Sequence, residues 1–141
     1  MAQVEFRVGA ADPLGYACAL LRSAQAKGAR LLVRVDDAQL DALDERLWTF
    51  SQHDFLPHCR IGDALQARTP IVLGSAADVD AGAGDARDCL VNLAAAPAPS
   101  WQTWPRLIEI VGADAAAKAA ARQRFRAYRD AGCAPTTMEV E

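Results

Sequence analysis

Five short apolar runs, at residues 4–8, 29–35, 70–74, 89–93 and 107–111, recur along this chain with polar, turn-rich or helically patterned stretches between them. Runs of that length rich in valine, leucine and isoleucine read as strands, and the first alternates Val4, Phe6 and Val8 with Glu5 and Arg7. Helix signals fall between the runs. Asp12 followed by Pro13 is a helix start, with Leu14, Cys18, Leu21 and Gln25 at helical spacing and Gly28 as a stop. Asp36 and Asp37 are placed to cap a second helix carrying Leu40, Leu43, Leu47 and Trp48. Gly112 precedes a last, alanine-rich helix. Strands alternating with helices predict an α/β class, a Rossmann-like, mostly parallel sheet with helices on both faces. Residues 50–66 and 94–100 read as irregular, and 75–88, rich in Gly, Ala and Asp, as an exposed loop. Trp101 and Trp104, flanked by Pro99 and Pro105, read as a lid packed on the sheet. Residues 1–133 are expected to form one domain and 134–141 a short flexible tail.

Hydrophobic residues make up 52% of the chain, enough for a sizeable core. No apolar run approaches the roughly 18 residues a membrane helix needs, and Glu5, Arg7 and Asp12 interrupt any signal-peptide core, so a cytoplasmic location is expected. The net charge of -3 argues against a general nucleic-acid binder. Cys18, Cys59, Cys89 and Cys133 are scattered, with no C-x-x-C pair, and read as small buried hydrophobes.

A Rossmann-like sheet often holds a nucleotide, yet the turn after the first strand, Gly9 to Gly15, lacks G-x-G-x-x-G, and Pro13 removes an amide a phosphate would use. No Gly-Lys-Ser/Thr triplet follows, and Gly82-Ala83-Gly84 is followed by Asp85 and Asp88. No nucleotide-binding fingerprint is present. His53, His58 and Cys59 are the one concentration of metal-ligand types, and a packed or hydrogen-bonded histidine is the simpler reading. The serines Ser23, Ser51, Ser75 and Ser100 lie outside any G-x-S-x-G elbow. Asp36, at the end of the second strand, lies where α/β ligands bind, which leaves a small nucleotide- or phosphate-dependent enzyme as the alternative to a binding module.

Residues 118–129 hold five of the chain's 15 basic residues and no acid. At about 100° per residue, Lys118, Arg122, Phe125 and Arg129 share one stripe of a helix, with Arg126 on its shoulder. The opposite face, with Ala117, Ala121 and Tyr128, suits close packing on a sheet. Arg124 falls on that core face, so it must snorkel or pair with a buried acid. The stripe is either a solvated surface or a receptor for an acidic group that also carries an apolar one. Trp48 at a helix end and Phe55 in irregular chain form either an exposed contact site or a satellite core.

The run Leu43-Asp44-Glu45-Arg46-Leu47-Trp48, followed by Phe55-Leu56-Pro57-His58, resembles the signature segment of the chi subunit of bacterial DNA polymerase III. Arg122-Gln123-Arg124-Phe125-Arg126-Ala127-Tyr128-Arg129, with Gly132 beyond, is similar to that family's C-terminal helix. The resemblance implies a noncatalytic accessory protein of the clamp loader, without cofactor or metal, that meets DNA only indirectly. It implies that Lys118, Arg122, Phe125 and Arg126 hold the acidic C-terminal tail of single-stranded DNA-binding protein, whose last phenylalanine enters a pocket with Val111 as a wall. It places Trp48, Phe55 and His58 against the small psi subunit. Phe125 stands where many members carry tyrosine, and Arg126 where they carry lysine.

Overall fold

The computed structural model describes residues 2–50 and 55–140. In chain order the elements are β1 (Gln3–Ala10), α1 (Pro13–Ala26), β2 (Leu31–Val35), α2 (Asp37–Thr49), β3 (His58–Arg60), β4 (Ile71–Ser75), α3 (Ala76–Asp80), β5 (Cys89–Asn92), β6 (Arg106–Gly112), α4 (Ala115–Asp130) and β7 (Thr136–Glu139). The strands form one sheet in the order β3-β4-β2-β5-β6-β1-β7, and every neighbouring pair is parallel. The expected α/β class and parallel sheet are thus observed.

Strand alternation splits the core into two layers. Leu31, Val33 and Val35 of β2 face α1 and α2, where Cys18, Leu21, Leu43 and Leu47 cover them. Leu32 faces the other way, into a layer with Phe6, Leu90, Leu107, Trp101, Trp104 and Tyr128. The two tryptophans are buried, as the lid reading expects. Cys18, Cys89 and Cys133 are buried free thiols, and burial pushes the Cys18 and Cys89 thiols up to about 11.

The start of α1 follows its sequence signal: Asp12 Oδ1 accepts from Gly15 N at 3.2 Å, and Pro13 opens the helix. The start of α2 does not. Asp36 stands at the N-cap but makes no capping bond; its Oδ2 accepts from Ala95 N (3.2 Å), so it ties the chain after β5 to the start of α2. Three further elements were invisible in the residue pattern. α3 occupies part of the expected loop 75–88, with Ser75 Oγ accepting from Asp78 N. β3 lies inside the stretch read as irregular. β7 lies in the segment read as a loose tail and instead extends the sheet along β1, with Phe6 opposite Thr137 and Val8 opposite Glu139. Its four residues are all exposed, so no apolar alternation announces it, and main-chain bonding to the open edge of β1 holds it.

Arg87, fully buried, braces the loop before β5. It donates to the carbonyls of Gln66 (2.7 Å), Thr69 (2.6 Å) and Pro70 (3.1 Å) and to Asp85 (2.6 Å). The hydrogen bond from Arg87 holds the Asp85 carboxyl below its ordinary value of 3.8, and the bond from Arg46 does the same for Asp12. A depressed folded-state value means that these pairs stabilise fully above pH 3.8 and lose that contribution as the pH falls through the lower folded value. We therefore expect the melting temperature to fall as the pH is lowered from 5 to about 2. The fall should be shallower in the Asp85→Asn variant. Equal slopes in scanning calorimetry of the two proteins would remove Asp85 from the explanation.

Candidate functional site

The basic helix α4 is fixed from below by a buried polar network. Its inward residues are Ala121, Arg124 and Tyr128, three and then four positions apart. Arg124 Nε donates to Glu109 of β6 at 3.0 Å, and the Tyr128 hydroxyl donates to the other carboxylate oxygen at 2.5 Å. Asn92 Nδ2 adds a third donor at 2.8 Å, and Arg124 also reaches the Ala95 carbonyl at 2.9 Å. Asn92 Oδ1 in turn accepts from Arg34 (3.0 Å), which grips Asp80 of α3 with two nitrogens at 2.9 and 2.8 Å. Complete burial raises the Glu109 carboxyl above the ordinary carboxylate value, against the pull of Arg124, Tyr128 and Asn92. Burial, then the Glu109 charge, pushes the Tyr128 hydroxyl up. The expected buried acid for Arg124 is thus Glu109, the one charged residue inside the apolar run 107–111.

With its inner face held, α4 presents Lys118, Arg122 and Phe125 to a groove of about 320 Å³ between the helix and the β1–β7 edge. Phe6, Val8 and Ala121 make an apolar floor, Phe125 a wall, and Thr137 and Glu139 of β7 the opposite side. The Phe125 ring is seated on Phe6, centroids 5.4 Å apart. Among the described residues, the side chains of Lys118, Arg122 and Arg126 make no hydrogen bond or ion pair. Two unpaired cations, Lys118 and Arg122, beside an apolar floor suit a ligand with carboxylates and a ring.

Not every expected residue reaches this groove. Arg126 is exposed on α4, one turn on from Arg122, and does not line it. Val111 is 1% exposed and belongs to a different crevice, on the other side of α4. α4 packs mainly on β6 and covers Val111, whereas Val8, opposite it on β1, stays beside the helix and joins the groove floor in its place. The Val111 crevice lies at the carboxyl ends of the strands, where α/β folds commonly bind ligands. Asp36 and Asp114 line it, and its Arg124 is already committed to Glu109, so it is poorly suited to a phosphate.

Trp48 and Phe55 are 58% and 67% exposed, with rings 5.5 Å apart, and Trp48 also lies 4.6 Å from the His58 ring. His58 is buried, its Nδ1 2.7 Å from the Leu56 carbonyl oxygen and its Nε2 2.9 Å from Asp44. It therefore supports Trp48 from below rather than offering a contact of its own. Asp44 is held in turn by Arg60 at 2.8 Å. His53 and Ser51 lie outside the described residues.

The sequence profile of the family described as "DNA polymerase III chi subunit, HolC" matches residues 1–136. The chain belongs to that family. DNA polymerase III subunit chi of Pseudomonas aeruginosa is 34% identical over 137 residues, 94% of this chain and 92% of the relative. The Haemophilus influenzae subunit is 31% identical over 125 residues, 88% and 85% of the two chains. The Escherichia coli subunit is 28% identical over 116 residues, 82% and 77%. In this chi-family chain, the residue pattern reveals the cationic and aromatic side of the groove but not the side built by β1 and β7. Val8 and Thr137 carry no pattern that marks a site; only the pairing of β7 with β1 places them there.

Proposed function

We propose that this chain is a noncatalytic accessory subunit of the replicative polymerase that holds the acidic C-terminal tail of single-stranded DNA-binding protein, linking that protein to the clamp loader. The observation that carries this reading is the groove itself: an apolar floor of Phe6 and Val8 directly beside unpaired Lys118 and Arg122. The terminal phenylalanine of the tail enters over the floor, and its carboxylates meet the cations and neighbouring Arg126 by charge-assisted hydrogen bonds. The groove's 320 Å³ lies at the low end of ligand sites, which run about 300–1,000 Å³, and suits a single ring. Burying that ring contributes about 1.5–3 kcal/mol and each exposed ion pair about 0.2–1 kcal/mol. After association costs the contact is weak and sensitive to salt.

The exposed Trp48–Phe55 pair is the second contact, for the psi subunit on the loader side. Two separate faces are what a bridging subunit needs.

Fluorescence anisotropy of a labelled tail peptide titrated with this chain tests the reading. Micromolar binding is expected, weakened by salt and lost for a peptide without its last phenylalanine. Equal binding of the two peptides would defeat it.

A further inference from the structure

The groove has a second charged side that the basic stripe does not reveal. β7 is joined to the rest of the sheet through β1 alone, in the register that sets Thr137 beside Phe6 and Glu139 beside Val8. Residues paired across neighbouring strands share a face. Phe6 and Val8 point to the α4 side, so Thr137 and Glu139 do as well, and both line the groove. Glu139 is exposed and is the one acid among the described lining residues. Its carboxylate lies beside Gly9, at the irregularity of β1 between Val8 and Ala10, where a Cβ on Gly9 would come 3.3 Å from Oε2. It makes no hydrogen bond or ion pair to Lys118 or Arg122 among the described residues, so its charge is not quenched by them.

We propose that Glu139 is a specificity-determining residue of the groove, an internal counter-charge that holds down the affinity for acidic peptides and steers their carboxylates toward the α4 side. The proposal rests on the tail-binding reading above. Of the charged groups lining the groove, Lys118 and Arg122 give +2 and Glu139 takes this to +1. A peptide carboxylate drawn to the cations is repelled from the β7 wall, which leaves that wall and the Phe6–Val8 floor to the apolar end of the ligand. An acidic peptide lacking the aromatic end then gains too little from charge alone to be retained.

The test is anisotropy of the same acidic, phenylalanine-ended peptide with wild type, Glu139→Gln and Glu139→Lys, at low and at high salt. The Gln variant is expected to bind about threefold tighter at low salt and the Lys variant about tenfold tighter. Both gains should shrink toward wild type near 0.5 M salt, where the Debye length is only about 4 Å. Both variants should also retain more of a peptide without its phenylalanine. A wild-type chain that binds while the Gln and Lys variants bind equally or more weakly would overturn the role of Glu139 and leave the tail reading standing. No binding by wild type at low salt would overturn both. Since Glu139 is exposed, unchanged melting temperatures are expected, and they separate a charge effect from loss of β7.

Discussion

The Glu109→Ala variant is expected to be less stable by about 3–5 kcal/mol, the usual cost of breaking a buried ion pair from one side. The glutamate is wholly buried, and its loss strands Arg124, whose side chain is 4% exposed, without its carboxylate. The Tyr128 hydroxyl and the Asn92 amide lose their acceptor at the same time. These costs share one site and do not simply add. Chemical denaturation monitored by tryptophan fluorescence measures the effect. The paired change Glu109→Leu with Arg124→Leu should recover part of the loss, because it removes the stranded Arg124 charge while the Tyr128 hydroxyl and Asn92 amide still lack their acceptor. A Glu109→Ala cost below about 1 kcal/mol would show that the network does not hold α4 on the sheet. Peptide binding should weaken in the same variant, since Arg124 and Tyr128 fix the helix that carries Lys118, Arg122 and Phe125.

Reversing one charge in the groove should have the other large effect. In the Arg122→Glu variant we expect tail-peptide affinity to fall about 30-fold or more at low salt, through loss of a charge-assisted hydrogen bond and new repulsion. Arg122 is exposed, so the melting temperature should stay near wild type. Arg126→Glu should weaken binding by a smaller factor, because Arg126 stands outside the groove. Unaltered affinity in both variants would move the tail site away from α4. The salt dependence is an independent check: the Arg122 variant should show a shallower slope, having one attractive charge fewer.

The sequence by itself determined the class of fold and one side of the candidate groove. The apolar runs at β1, β2, β4, β5 and β6 alternate or are nearly continuous, broken only by single polar residues such as Arg34, Asn92 and Glu109, and such runs are best buried in a sheet covered by helices. Asp12-Pro13 announced α1 because a cap and a first-turn proline act within one turn of chain. Lys118, Arg122 and Phe125 were legible together because helical spacing alone puts them on one stripe. Arg124, the one charged residue on the packed face, called for either snorkelling or a buried acid, and spacing could not say which.

The tertiary structure decided the rest. Glu109 and Arg124 are 15 residues apart and meet only when α4 lies over β6. Asp36 looks like a cap in sequence and becomes a tie to Ala95 because an amide 59 residues away competes for it. Val111 and Val8 are alike in pattern; one is covered and the other lines the groove because α4 lies mainly over β6 and reaches β1 only at its edge. β7 had no signal at all, since an exposed edge strand is held by its neighbour's main chain and not by its own side chains. Its arrival beside β1 supplies Thr137 and Glu139, and so turns a basic helix face into a groove with a charge on each side. Local spacing sets what a helix or strand presents; contacts between distant segments set what each face meets.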